Sequence, residues 1–134
     1  MKLATRINSF LPHFDNDVKR VLADFHRIGF THVDFNYPEH VAGISPEEMR
    51  QVLDGCQLEA NGVALRFRGD LYLNGELGNA DPNKAQAALD LCRKACDYCR
   101  VIGGRVVNHF DKIGFTNAKI LKVKLCCFCA QFID

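Results

Sequence analysis

The fold is decided by the stretch Asp34-Phe35-Asn36-Tyr37-Pro38-Glu39-His40, in which a predicted strand, His32 to Phe35, runs into a cluster of polar side chains. Three other extended segments also end in polar residues: Arg6-Ile7-Asn8, Leu65-Arg66-Phe67-Arg68 and Asn108-His109-Phe110-Asp111. Parallel β/α folds carry their chemistry at the carboxyl ends of their strands. The sequence therefore predicts a parallel sheet, and it predicts which edge of that sheet holds a site.

Predicted helices separate these strands. Asp15 or Asn16 is expected to cap the first helix and Gly29 to end it. Its apolar stripe is Val18, Val21, Leu22, Phe25 and Ile28. Ser45-Pro46-Glu47-Glu48 opens the second helix with a capping box and a proline in the first turn. The second stripe is Met49, Val52, Leu53 and Cys56.

The rest of the pattern continues the same alternation. Asn61-Gly62 predicts a turn into a third strand, Val63 to Phe67, and a third helix extends from Asp81-Pro82 to Gly103-Gly104. Arg105 to Phe110 is the predicted fourth strand. Such alternation is typical of right-handed βαβ crossovers. Because a complete (β/α)₈ barrel needs at least about 200 residues, we expect an α/β fold that is a partial (half) TIM barrel, with three βα units and a fourth parallel strand.

The chain changes character after Phe110. Lysines outnumber acidic residues there, and Leu125-Cys126-Cys127-Phe128-Cys129 is a dense apolar run that fits either a strand or a short helix. We therefore expect residues 1–110 to form the partial barrel and residues 111–134 to be a diverged or frameshifted tail. Cys126, Cys127 and Cys129 are interpreted as apolar packing residues, because their spacing fits no common zinc site.

Composition narrows the class of protein. The chain has 134 residues, 48% hydrophobic and 25% charged, with a net charge of +1. This balance is typical of an ordinary soluble protein, and it offers no basic surface for nucleic acid. No export signal follows Met1, and no apolar run reaches the roughly 20 residues of a membrane helix. We expect a cytoplasmic protein that does not contact membranes and whose seven cysteines are reduced.

Cys92, Cys96 and Cys99 allow two interpretations. Their C-x3-C-x2-C spacing is that of radical S-adenosylmethionine enzymes, in which three thiolates bind an iron–sulfur cluster. The same spacing also continues the buried stripe of the third helix, which is Ala85, Ala88, Leu89, Cys92, Cys96, Cys99 and Ile102. The cluster motif belongs in a loop after a first strand, so packing is the favoured interpretation.

The candidate site residues follow the strands. His40 beside Glu39 can orient a hydroxyl or move a proton near neutral pH, although both can also be ordinary loop residues. Arg66 and Arg68 alternate with apolar residues, which predicts that both guanidinium groups point the same way. Such a pair can hold a phosphate, a carboxylate or sugar hydroxyls, unless one of them only forms a surface ion pair. His109 ends the predicted fourth strand. It can serve there as an acid–base group, or it can be an ordinary packed residue.

Several of these blocks, taken in order, resemble the amino-terminal half of xylose isomerase-like TIM-barrel proteins, which include sugar isomerases and sugar-phosphate isomerase/epimerases. The blocks are Asp34 to His40, Asn61 to Phe67, Asn79-Ala80-Asp81-Pro82 and Gly103-Gly104-Arg105-Val106-Val107. The resemblance implies metal-assisted aldose–ketose isomerisation or epimerisation with Mn²⁺, Mg²⁺ or Co²⁺. In that family the metal ligands come mainly from later strands, so none is assigned to this chain.

The expected function follows from the resemblance. We predict a sugar or sugar-phosphate isomerase/epimerase-like protein that is truncated and inactive alone. The alternative is a non-catalytic barrel fragment that binds a ligand or a partner. Self-association as a homodimer is expected, because a half-barrel exposes sheet edges. The predicted catalytic residues are His40 and His109, and the predicted substrate-binding residues are Asn8, Asn36, Glu39, Arg66 and Arg68.

Overall fold

Short strands rich in β-branched and aromatic residues lie side by side in a parallel sheet. The computed structural model describes residues 3–72 and 76–108. Within them the strands are β1 (Ala4–Arg6), β2 (His32–Tyr37), β3 (Glu59–Leu65) and β4 (Val106–Asn108), in the order β1-β2-β3-β4. The helices between them are α1 (Val18–Arg27), α2 (Pro46–Gly55) and α3 (Pro82–Val101). A parallel sheet whose spatial order follows the chain order is the beginning of a TIM barrel, which confirms the predicted fold class.

The chain forms two compact units. The first consists of residues 1–66 and 95–108, and its described part contains all four strands. The second consists of residues 67–94 and 109–134. In the described part of this second unit, the Phe67 and Tyr72 rings lie 5.0 Å apart. The predicted tail at residues 111–134 lies outside the described residues, so its boundary stays a prediction.

The first helix begins later than expected. Asp17 caps α1, and its carboxylate accepts hydrogen bonds from the backbone N–H groups of Lys19 at 2.9 Å and Arg20 at 3.2 Å. The expected caps Asp15 and Asn16 are wrong, because both have left-handed backbone conformations, with φ of 55° and 60°. Ile28 was expected in the buried stripe but is 47% exposed, because the helix has already ended at Arg27.

The second helix begins as predicted. Ser45 Oγ accepts a hydrogen bond from the backbone N–H of Glu48 at 3.1 Å, and Pro46 occupies the first helical position. The Glu48 carboxylate also accepts from Lys19 Nζ at 2.6 Å, which links α2 to α1. Both of these side chains are largely exposed, so the ion pair adds little stability. The capping box defines where α2 starts.

The third strand differs from its prediction at both ends. Asn61-Gly62 lies inside β3 instead of forming a turn. The register with β2 shifts at this point, since Val33 pairs with Ala60 and Asp34 with Gly62, which leaves Asn61 as the extra residue of a bulge. β3 also ends at Leu65, so the segment that follows, residues 66–68, is not part of the strand.

Alternate residues of β2 point to opposite faces of the sheet. Val33 and Phe35 are fully buried, and Tyr37 on the same face contacts the Tyr98 ring of α3 at 5.7 Å. This is therefore the face that the helices cover. The opposite face carries Asp34 and Asn36 of β2, and by register it also carries their paired neighbours, which are Arg6, Gly62 and Ala64.

The third helix packs its cysteines into the core. Cys96 and Cys99 are buried and Cys92 is partly buried, which confirms the helical stripe. The helix ends at Val101, and Gly103 stops it shortly afterwards with a φ of 78°, which favours glycine. At Gly104 a side-chain Cβ would lie 2.6 Å from Cys99 Sγ, so the chain needs a glycine to pass this thiol. The cysteines of α3 thus serve packing between the helix and the strand that follows it.

Candidate functional site

The candidate site lies at the carboxyl ends of β1, β2 and β3, within the first unit. Asn36 is near the end of β2, and His40 lies in the short 3₁₀ helix Glu39–Val41 that follows. The backbone N–H of Asn36 donates a hydrogen bond to His40 Nδ1 at 2.9 Å. Asn36 is 3% exposed and His40 is 4% exposed, and together they are the buried polar residues of the described chain. Two polar side chains are therefore enclosed where a parallel sheet places its chemistry.

This hydrogen bond determines the tautomer of His40. A backbone N–H can only donate, so Nδ1 accepts through its lone pair and the neutral ring carries its proton on Nε2. Burial lowers the pKa of His40 from 6.5 to about 4; the Glu39 carboxylate opposes this shift, and the charges of Arg6 and Arg66 add to it. The ring is neutral at pH 7 and is suited to donate a hydrogen bond from Nε2. A role of His40 in proton transfer stays a prediction.

Two buried polar atoms at this end of the sheet lack a hydrogen-bond partner. Asn36 Nδ2 donates to Asn8 Oδ1 at 3.4 Å, but Asn36 Oδ1 has no partner. Arg6 Nε is likewise buried and unpartnered. Such atoms are rare because each forfeits its hydrogen bonds to water. An acceptor and a donor therefore remain available on the same face of the sheet.

Arg6 is the site residue that the sequence-based reasoning missed. It ends β1 and pairs in register with Asp34, which places it on the same face as Asn36. The sequence marks Arg6-Ile7-Asn8 as a polar strand end, but it assigns only Asn8 to substrate binding. The signal that could have identified Arg6 is its parallel register with the polar positions of β2, which depends on strand pairing.

The predicted residues fall into three groups. Asn8, Asn36, Glu39, His40 and Arg66 all belong to the first unit. The Arg66 backbone N–H donates to Tyr37 O at 2.8 Å, which extends the pairing of β3 with β2 by one hydrogen bond. Arg68 is exposed and belongs to the second unit, so the expected alternation of two arginines along one strand is wrong. His109 lies outside the described residues.

The side chains of this site do not fit a divalent metal. Arg6 and Arg66 bring positive charge, and His40 Nδ1 is engaged by a backbone N–H. In residues 3–72 and 76–108, no group of three or more His, Cys, Asp or Glu side chains is placed to hold a metal ion. We therefore assign no metal ligand and derive no chemical step through a metal. The same finding leaves the iron–sulfur interpretation of the α3 cysteines without structural support.

Two further features of the described residues bear on the site. The second unit has an open cavity of about 260 Å³, lined by Tyr72, Ala87, Asp90, Leu91 and Lys94. None of the predicted site residues lines it. No helix in the described part of the chain has the length and apolar character needed to cross a bilayer.

The fold has a counterpart among solved structures. The chain is similar to a structure of L-ribulose 3-epimerase, with a TM-score of 0.56 and 20% sequence identity. The match covers 69% of this chain and 29% of the epimerase chain, so this chain spans less than a third of that protein's length. The predicted resemblance to a xylose isomerase-like TIM barrel is thus confirmed at the level of the fold. No family model and no curated protein matches the sequence.

Proposed function

We propose that this chain binds a sugar or sugar phosphate at the carboxyl ends of β1, β2 and β3, as part of an isomerase or epimerase. The observation that carries this proposal is the pair of buried, unpartnered atoms Asn36 Oδ1 and Arg6 Nε. One is an acceptor and the other is a donor, on the same face of the sheet. A bound ligand that supplies both complements removes the desolvation penalty of both atoms.

A polyol meets this requirement better than an apolar ligand. Each hydroxyl group both donates and accepts, so neighbouring hydroxyls can satisfy the amide oxygen and the guanidinium nitrogen together. The neutral His40 ring adds an Nε2–H donor, whose tautomer the Asn36 backbone N–H maintains. An apolar ligand would leave all of these polar atoms unpaired.

The structural comparison supports the reaction class. L-ribulose 3-epimerase acts on a ketose, and its fold is shared by this chain over 69% of the residues. Because this chain spans 29% of that protein, we assign to it the substrate-binding wall, and not the whole reaction. The divalent metal that this reaction class uses would be held by groups other than the described side chains.

A second candidate function is a sugar-binding module without catalysis. The observation that favours it is the state of His40, which is neutral and has Nδ1 engaged, so that a base is lacking at this position. We also propose self-association as a homodimer, because β1 and β4 are the edges of the sheet in the described residues. Light scattering tests this, and a monomer at high concentration would argue against a dimer.

Binding and turnover of L-ribulose separate the two candidates. Titration of the full chain, followed by calorimetry and by amide shifts in NMR spectra, is expected to show saturable binding. Asn36→Ala should weaken binding about tenfold, the effect of losing one good hydrogen bond, whereas the exposed Asn83→Ala serves as the matched control.

Activity is then measured as formation of the C3 epimer in the presence of Mn²⁺, Mg²⁺ or Co²⁺. Turnover that Asn36→Ala reduces supports the enzyme. Binding without turnover under any of these metals supports the binding module. If L-ribulose and related pentoses and hexoses all fail to bind the folded chain, sugar binding is wrong.

A further inference from the structure

Arg6 is a cation that has no anionic partner among the described residues. Its Nε atom is buried, and Arg6 forms no ion pair with any residue in the described ranges. The nearest carboxylate by register is that of Asp34, but Asp34 Oδ1 accepts a hydrogen bond from Asn61 Nδ2 at 3.1 Å. A guanidinium group with a buried, unsatisfied N–H is a poor choice for stability, because burial of an unpaired charged group is costly. Because no anion among the described residues meets this group, its presence favours an anionic ligand at this end of the sheet.

Arg66 provides a second cation at the same end of the sheet. Its backbone N–H is bound to Tyr37 O at 2.8 Å, so its position just after β3 is defined by the strand pairing. Like Arg6, it has no ion-pair partner within the part of the chain that the structure describes. Arg6 ends β1 and Arg66 follows β3, so the two arginines come from the strands on either side of β2, at the end of the sheet that carries Asn36.

Small residues of β3 lie beside Asn36 on the same face of the sheet. Gly62 and Ala64 of β3 pair in register with Asp34 and Asn36, on the face that also carries Arg6. Neither of them supplies a counter-charge to the arginines. A ligand at this place would meet the two guanidinium groups, the Asn36 amide oxygen and the Nε2–H of His40.

We propose that the ligand of this site is an anionic sugar, whose carboxylate or phosphate oxygens bind to Arg6 and Arg66 while a hydroxyl group donates to Asn36 Oδ1. This rests on the proposed function and narrows its substrate class. The planar guanidinium group with its several N–H donors matches both oxyanions, and charge-assisted hydrogen bonds of this kind are the strong ones.

A matched set of five-carbon ligands tests the proposal on the full chain. The set contains L-ribulose as the neutral member, ribonate as the carboxylate and ribulose 5-phosphate as the phosphate, with inorganic phosphate as a control for charge alone. We expect at least one anionic sugar to bind tenfold or more tightly than L-ribulose at low salt. This preference should shrink as salt is added, because screening weakens exposed parts of the interaction.

Arginine variants link the preference to the site. Arg6→Gln and Arg66→Gln should each reduce the preference for the anionic sugar to less than threefold, while Arg100→Gln, an exposed arginine of α3, should keep it. Circular dichroism verifies that each variant is folded. If Arg6→Gln does not fold, the salt dependence of the unmodified chain and the Arg66→Gln result test whether the arginines bind an anionic sugar.

The outcomes distinguish this inference from the proposed function. A preference for ribonate alone identifies a sugar acid, a preference for the phosphate ester alone identifies a phosphosugar, and either supports an oxyanion site. Equal or tighter binding of L-ribulose overturns the anionic ligand and leaves sugar binding intact. Binding of inorganic phosphate with no binding of any sugar keeps the oxyanion site and overturns the proposed function. Failure of all four ligands overturns both.

Discussion

Phe35 and Asn36 are neighbours in β2 and both are buried, yet they lie on opposite faces of the sheet. Their side chains differ in whether the surroundings satisfy them. Phe35 is 0% exposed on the face covered by helices, where packing satisfies it. Asn36 is 3% exposed on the other face, where its amide oxygen has no partner. Equal burial therefore has different meanings on the two faces. An apolar buried side chain stabilises the fold, whereas a buried polar atom without a partner indicates a place prepared for a ligand.

The largest effect is expected from the helix-covered face. Phe35→Ala should lower the free energy of unfolding by about 3–5 kcal/mol, through lost apolar burial and the cavity that remains. Urea denaturation measures the change. The control is Ile28→Ala, which removes a 47% exposed side chain and should change stability by less than about 0.5 kcal/mol. Similar losses in the two variants would mean that the two positions do not differ as the structure shows.

The next effect concerns His40 and pH. Its pKa is lowered from 6.5 to about 4 in the folded chain, so below pH 6.5 the unfolded chain binds a proton that the folded chain does not. Stability contributed by the neutral ring is fully present above pH 6.5 and is lost as the pH falls toward 4. The loss corresponds to roughly 3 kcal/mol, at 1.36 kcal/mol per pKa unit.

Denaturation at pH 7, 5.5 and 4 measures this loss, and NMR titration of the ring protons reports the pKa directly. His40→Gln should remove the part of the slope that lies between pH 6.5 and 4, while leaving the carboxylate contributions near pH 4. A His40 resonance that titrates near 6.5 in the folded chain would contradict the enclosed, neutral ring.

The smallest effect is expected from the polar face. Asn36→Ala should change the free energy of unfolding by less than about 1 kcal/mol, because it removes an unsatisfied oxygen along with one long hydrogen bond to Asn8. Its effect should appear in ligand binding instead. A loss of stability as large as that of Phe35→Ala would show that Asn36 supports the fold. It would then argue against a ligand site at this position.

Local features of the sequence predicted local structure well. The capping box at Ser45 and the glycine stop at Gly103 depend on residues within one helical turn, and both are confirmed. Asn61-Gly62 has the composition of a turn, but pairing with β2 draws it into a strand as a bulge. The predicted end of the third strand at Phe67 was wrong for a similar reason, since β3 ends at Leu65, where its pairing with β2 ends, and not where the alternation in the sequence ends.

The amino-acid sequence by itself determined that helices alternate with parallel strands, where the helices of the first unit pack and which strand ends are polar. It could do so because caps, stripes and strand ends are set by residues that are close in the chain. Only the tertiary structure decided that Arg6 shares a face with Asn36, that His40 is buried and neutral, and that two polar atoms there lack partners. Those properties come from strand register and burial, which bring together residues that are about 30 positions apart in the chain, as parallel βα units do.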